Sequence, residues 1–98
     1  MKGYWLILGT EVTDPEAQAE YGRLWAPVAE RHGARVIRDL ETLSRLESRA
    51  DTARMLLVEF PSLAAARACF DDPAYKHACT FAHKAARRDL VLFEGDLG

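Results

Sequence analysis

The polar residue with most to explain is Glu59, which stands inside the apolar run Met55-Leu56-Leu57-Val58-Glu59-Phe60. A carboxylate in such a strand has to be paired, hydrogen-bonded or set beside a cavity, because bare burial of its charge is costly. Two chemistries suit it, a general base or an acceptor for a ligand hydroxyl, and the competing reading is a structural carboxylate held by backbone or an arginine at a strand end. His32, His77 and His83 form no H-x-x-x-H or H-E-x-x-H pattern, and His77 and His83 are too far apart in sequence to share a helix face, so no metal site is expected. His83 lies on the helix expected to line a pocket, as does Tyr75, and Glu59, His83 and Tyr75 are the candidate catalytic residues. Tyr21, Trp25, Phe70 and Phe81 are the candidate lining of a hydrophobic ligand pocket between helices and sheet, where many alanines leave volume unfilled; core packing is the competing reading for all of them. Cys69 and Cys79 make no C-x-x-C pair and read as buried or half-buried thiols. There is no nucleophile elbow or phosphate loop, and no cofactor is expected.

The elements that must position these residues come from one domain spanning residues 1–98, with a hydrophobic fraction of 49% that suits a globular core. Thirteen Lys and Arg against fifteen Asp and Glu leave a net charge of −2, which provides no phosphate-binding surface, so nucleic acid is not an expected partner. The densest basic stretch, Lys84 to Arg88, reads as a set of cations at a helix C-terminus. No apolar run approaches the roughly 20 residues that span a bilayer, and Tyr4–Leu8 is too short for a secretory core, so a soluble, cytoplasmic protein without a membrane partner is expected.

Tyr4–Leu8 is aromatic, β-branched and continuously apolar, which predicts a strand buried on both faces, with Gly9 a candidate bulge. Asp14 as cap and Pro15 at the first helical position start a helix in which Tyr21, Leu24, Trp25 and Val28 form one stripe; Gly33 ends it. Ala34–Arg38 is the second strand. Asp39–Thr52 reads as a strand with a polar edge, a short helix on Leu40, Leu43 and Leu46 being the alternative. Ala53–Phe60 is the third strand, Ser62 caps the next helix, and Asp72-Pro73 breaks and restarts it as Ala74–Arg88. Asp89–Glu94 is the last strand. Two strand-helix-strand halves with right-handed crossovers predict an α+β, ferredoxin-like βαββαβ fold, a four-stranded antiparallel sheet with its helices on one face.

Helices cover only one face of such a sheet, yet Tyr4–Leu8, Met55–Val58 and Leu90–Phe93 are apolar on both alternations. At about 25 cal/mol per Å² the bare face would forgo several kcal/mol, and a second copy packed sheet to sheet removes the problem. A homodimer through the sheet faces is therefore expected.

Gly3-Tyr4-Trp5, Val12-Thr13-Asp14-Pro15-Glu16, Val58-Glu59-Phe60-Pro61-Ser62, Asp72-Pro73-x-Tyr75 and the ending Asp89-Leu90-Val91-Leu92-Phe93-Glu94-Gly95 together resemble the domain of unknown function 1330 family over nearly the whole chain. The resemblance implies a dimeric α/β barrel of the ferredoxin-like group, in which cofactor-free monooxygenases and muconolactone-type isomerases also occur, and it implies no specific activity. The leading expectation is a homodimer that binds a small hydrophobic or aromatic metabolite. A cofactor-free oxygenase or isomerase acting on such a metabolite comes second, and a structural or interaction module without ligand third.

Overall fold

The computed structural model describes residues 1–40 and 43–97, the side chain of Leu40 excepted. The chain runs β1 (Lys2–Gly9), α1 (Pro15–Arg31), β2 (Arg35–Leu40), β3 (Arg54–Phe60), α2 (Leu63–Asp71), α3 (Pro73–Ala85) and β4 (Arg88–Gly95). The strands form one antiparallel sheet in the order β2-β3-β1-β4, so the two central strands are β1 and β3. This is the ferredoxin-like α+β architecture expected from the strand and helix order.

Local chemistry accounts for the helix starts. Asp14 Oδ1 accepts from the Ala17 N–H at 3.0 Å, Ser62 Oγ from the Ala65 N–H at 3.0 Å, and Asp72 Oδ1 from the Ala74 N–H at 2.8 Å. Each satisfies a helix donor that would otherwise be orphaned. Pro15 and Pro73 open α1 and α3, where a missing N–H costs nothing. Gly33 follows α1 in the left-handed region at φ 69°, which a glycine adopts without strain.

Period-two alternation then sorts the sheet into two faces. Gly3, Trp5, Ile7 and Gly9 of β1 lie beneath the helices, level with Phe60, Val58, Leu56 and Arg54 of β3. The core is built around Trp5, whose indole N–H donates to the Ala66 carbonyl at 3.1 Å and whose ring meets Phe60, Tyr75, Trp25 and Phe70. Ala66, Ala78, Ala82 and Ala85 bring α2 and α3 close down onto that layer. Cys69 is buried there, and burial pushes its thiol up to about 12, so it packs as an inert small hydrophobe.

Three expectations need correction. Gly9 makes no bulge, since it stays in register with both Arg54 and Arg88; the irregularity in the sheet lies in β2 between Val36 and Arg38. Within Asp39–Thr52 there is neither an additional strand nor a helix among the described residues after Leu40, and Glu41 and Thr42 lie outside them. Leu46 of that segment is 92% exposed while Leu43 is half-buried, so the leucine spacing makes no continuous buried face, and without one a short periodic segment does not hold a helix. Finally, α3 stops at Ala85 and does not reach Arg88, which changes the role of the basic stretch.

Candidate functional site

Gly9 closes the central strand β1, and both neighbouring strands place an arginine level with it, Arg54 on β3 and Arg88 on β4. Strand spacing of about 4.8 Å sets those two backbones about 10 Å apart, with no side chain between them. Along β4 the core residues Leu92 and Leu90 lead, by steps of two, to Arg88; along β3, Val58 and Leu56 lead in the same way to Arg54. Both arginines therefore stand on the helix-covered face, and both are half-buried.

The Arg88 guanidinium is fixed by α1 and α3. Its Nη2 donates to the Tyr75 hydroxyl at 2.6 Å, its Nη1 to the Tyr21 hydroxyl at 3.4 Å, and Cys79 Sγ lies 3.6 Å from Nη2. Its Cζ is 5.0 Å from the centre of the Tyr21 ring, a cation–π contact, and the two hydroxyls are 3.4 Å apart. Burial, reinforced by the neighbouring Tyr21 hydroxyl, holds the Tyr75 phenol far above the ordinary range, so Tyr75 is a neutral hydroxyl and no proton acceptor at physiological pH. Among the described residues neither Arg54 nor Arg88 has a carboxylate in ion-pair range.

Between the arginines lies a cavity of about 40 Å³, with Gly9, Ile7 and Leu56 as its floor. Gln18 and Tyr21 of α1 and Ala82 and Ala86, in and just after α3, roof it. By the space a single water needs, this volume holds about two. Gln18 and Arg54 also line an adjoining open groove of about 430 Å³, together with Glu11, Val12, Asp39 and Ala53, so the cavity continues into a wider and more polar cleft. On the other side of α3, Arg88 borders a second groove of about 340 Å³ together with Phe70, Cys79 and the exposed His83.

The candidate residues from the sequence are thus distributed over several places. Tyr21 lines the cavity, and Tyr75 anchors its arginine. Trp25 packs at 5.4 Å from Trp5 and 5.7 Å from Tyr75 between ring centres, within the aromatic core. Phe70 joins that core and borders the outer groove, where Lys76 Nζ lies 3.5 Å from its ring centre. Phe81 meets the edge of the His77 ring at 5.7 Å and takes no part in the lining of the cavity.

Glu59 sits on the opposite, helix-free face of the sheet. It is 5% exposed and accepts from Arg35 Nη2 at 2.8 Å, Lys2 Nζ at 3.4 Å and the Tyr4 hydroxyl at 3.3 Å. The Arg35 hydrogen bond, opposed by burial and helped by Lys2, holds its carboxyl below the usual range. Glu59, His83 and Tyr75 are not brought together. Asp72 is held low in the same sense by His32, Arg31 and the Ala74 N–H, tying the end of α1 to the start of α3. Carboxylates with depressed folded-state pKa values stabilise the protein above their unfolded values, and that stability drains as pH falls through the folded ones. The melting temperature is therefore expected to begin dropping below about pH 5 and to go on dropping below about pH 3, where Asp72 is still losing its proton-free form. Glu59→Gln should start lower at pH 7 and fall less with acid; an acid slope equal to the parent's would show that the Arg35 and Lys2 pairs contribute nothing.

Arg54, Arg88 and Gln18 are not among the candidates that the sequence suggests. Arg88 reads there as a helix-end cation together with Lys84 and Arg87, of which Arg87 instead pairs with Asp51. The signal that finds both arginines is the strand alternation carried one step past the last apolar residue.

A model of the family described as "Domain of unknown function (DUF1330)" matches residues 2–96. Among solved structures, a protein of unknown function from Rhodopseudomonas palustris superposes with a TM-score of 0.73 at 25% identity, covering 99% of this chain and 84% of its own. A cofactor-independent oxygenase from Streptomyces nogalater, in a mutant form, has a TM-score of 0.66 at 19% identity, with 99% and 95% covered. A dimeric ferredoxin-like protein of unknown function from Jannaschia has a TM-score of 0.66 at 17% identity, with 97% and 100% covered. No curated protein matches the sequence.

Proposed function

The chain belongs to the domain of unknown function 1330 family, and on that footing we propose that it acts as a homodimer binding a small hydrophobic or aromatic molecule in the cleft between α1, α3 and the sheet. The observation that carries the reading is the cavity of about 40 Å³ at the inner end of a wider groove, floored by Ile7 and Leu56 and edged by the Tyr21 ring. A largely apolar cavity with a few convergent polar groups is the usual form of a small-molecule site. Catalysis without a cofactor, as an oxygenase or isomerase, ranks second. Glu59 and His83 lie outside the cleft and Tyr75 stays protonated, which leaves such a reaction without a base among the sequence candidates.

The dimer rests on the helix-free face. There Leu6, Leu8, Met55, Leu57 and Phe93 are half-buried and Val91 is 52% exposed, a contiguous apolar surface of the kind that a second copy covers. The Jannaschia protein of the same fold is described as dimeric. Light scattering after size exclusion is expected to give twice the 11.0 kDa chain mass, and Leu57→Asp to give the single-chain mass. A single-chain mass for the unmodified protein at micromolar concentration would overturn the assembly.

Binding is tested by titrating isotope-labelled protein with indole, benzamide and benzoate. Amide shifts at Gly9, Gln18 and Tyr21 are expected. Silence from every probe, or shifts confined to the helix-free face, would remove the cleft as the site.

A further inference from the structure

The inner cavity is lined by two arginines and no carboxylate, while the adjoining groove adds Glu11 and Asp39 beside Arg54. Arg54 and Arg88 face one cavity across Gly9, and among the described residues neither meets a carboxylate. Two other charges of low exposure are paired: the buried Glu59 takes Arg35 and Lys2, and the half-buried Asp72 takes Arg31 and His32. Two like charges bordering one small cavity repel, and an anion between them offsets that repulsion.

We infer that the inner cavity is an organic-acid site, in which Arg54 and Arg88 clamp the carboxylate of a small ligand whose body leaves through the groove past Val12 and Ala53, between them and the carboxylates Glu11 and Asp39. This rests on the cleft reading above and names its ligand class. The details of the cavity agree with it. A carboxylate head is of the size of the inner cavity, about 40 Å³, whereas an aromatic ring needs the adjoining groove that shares Gln18 and Arg54. Tyr75 holds Arg88 by Nη2 at 2.6 Å, so one arginine is preorganised before a ligand arrives. Gly9 leaves the floor between them open: a Cβ there would stand 3.4 Å from the Arg88 Cβ, in the gap the acid would occupy. Ile7, Leu56, Ala82 and Ala86 give the cavity an apolar side next to Gln18 and Tyr21, which favours an organic acid over inorganic phosphate.

The test compares benzoate, the isosteric neutral benzamide and inorganic phosphate by calorimetry and thermal shift on the full chain. Benzoate is expected to bind at least tenfold more tightly than benzamide and than phosphate, and to weaken as salt rises. Arg54→Gln should reduce benzoate affinity about tenfold, as expected for one charge-assisted contact, and benzamide affinity by clearly less. Gly9→Ala makes only ordinary van der Waals contacts, so it should fold normally and still weaken benzoate. Equal binding of benzoate and benzamide, or Arg54→Gln without effect, overturns the acid clamp and leaves the cleft reading standing. No binding by either aromatic probe overturns both. Phosphate as tight as benzoate overturns the organic-acid assignment.

Discussion

Replacing Trp5 with alanine is expected to destabilise the fold by about 3–5 kcal/mol, the range for removing a large aromatic from a packed core. Trp5 is 1% exposed, and its ring lies 4.8 Å from Phe60, 5.1 Å from Tyr75, 5.4 Å from Trp25 and 6.3 Å from Phe70 between centres. It touches Phe60 on the neighbouring central strand and three helix aromatics at once, so deleting it leaves a void that no single neighbour can fill. Domains of this size hold a total of about 5–15 kcal/mol, so the variant should be close to unfolding at room temperature. Trp5→Phe isolates the polar part: it keeps an aromatic ring but removes the N–H that donates to the Ala66 carbonyl at 3.1 Å. That change should cost less, about 1–3 kcal/mol. Guanidinium unfolding at one fixed chain concentration measures both. A midpoint for Trp5→Ala within error of the parent would mean that the core is not organised on this residue.

The second large effect is a pair of identical substitutions with opposite signs. Gly3→Ala would place a Cβ 2.4 Å from the Ser62 carbonyl oxygen, 2.7 Å from Leu63 Cα and 2.8 Å from Leu63 N. All three are backbone atoms at the entry to α2, so no side chain can swing aside. Relief requires shifting the capped start of the helix, where Ser62 accepts from Ala65, away from β1. Overpacking of this kind costs about 1–3 kcal/mol and here falls at or above the upper end. Gly22→Ala introduces the same methyl on the exposed face of α1, with nothing within 4 Å. There the gain is helix propensity and reduced freedom of the unfolded chain, about 0.5–1 kcal/mol in favour of folding. Melting temperatures measured side by side should move in opposite directions. A neutral or stabilising Gly3→Ala would mean that β1 and α2 do not meet as closely as described.

These two residues also mark what can be read without coordinates. Trp5 lies in a continuously apolar strand, and its burial follows from that pattern alone. Gly3 carries no such mark, because the need for it arises from Ser62 and Leu63, about sixty residues away in the chain and touching only after folding. The helix caps are legible for the same reason as Trp5: Asp14, Ser62 and Asp72 each bind a backbone N–H two or three residues on, a local interaction. The segment after Leu40 misleads because its leucine spacing is helical but Leu46 is left in solvent while Leu43 is half-buried, so no single face is covered. Glu59 is legible as an anomaly, a carboxylate in an apolar strand, yet its partners Lys2 and Arg35 come from other strands.

The cleft shows the division most sharply. The order of strands and helices, the apolar faces and the helix starts follow from the sequence by itself, because periodicity and capping act between near neighbours. Where α3 ends does not follow from it, since Lys84 to Arg88 continues the helical pattern without a glycine or proline to stop it. Tertiary contact stops it. The Ala85 carbonyl is taken by the Thr13 N–H at 2.9 Å and the Thr13 hydroxyl at 3.2 Å, and the Arg87 carbonyl by the Thr10 N–H at 3.0 Å. With those acceptors claimed by the segment after β1, the chain leaves α3 and enters β4 at Arg88 beside Gly9. A residue that would have pointed to solvent from a helix end is thereby turned inward between two tyrosines. Hydrogen bonds between segments distant in the sequence made that choice.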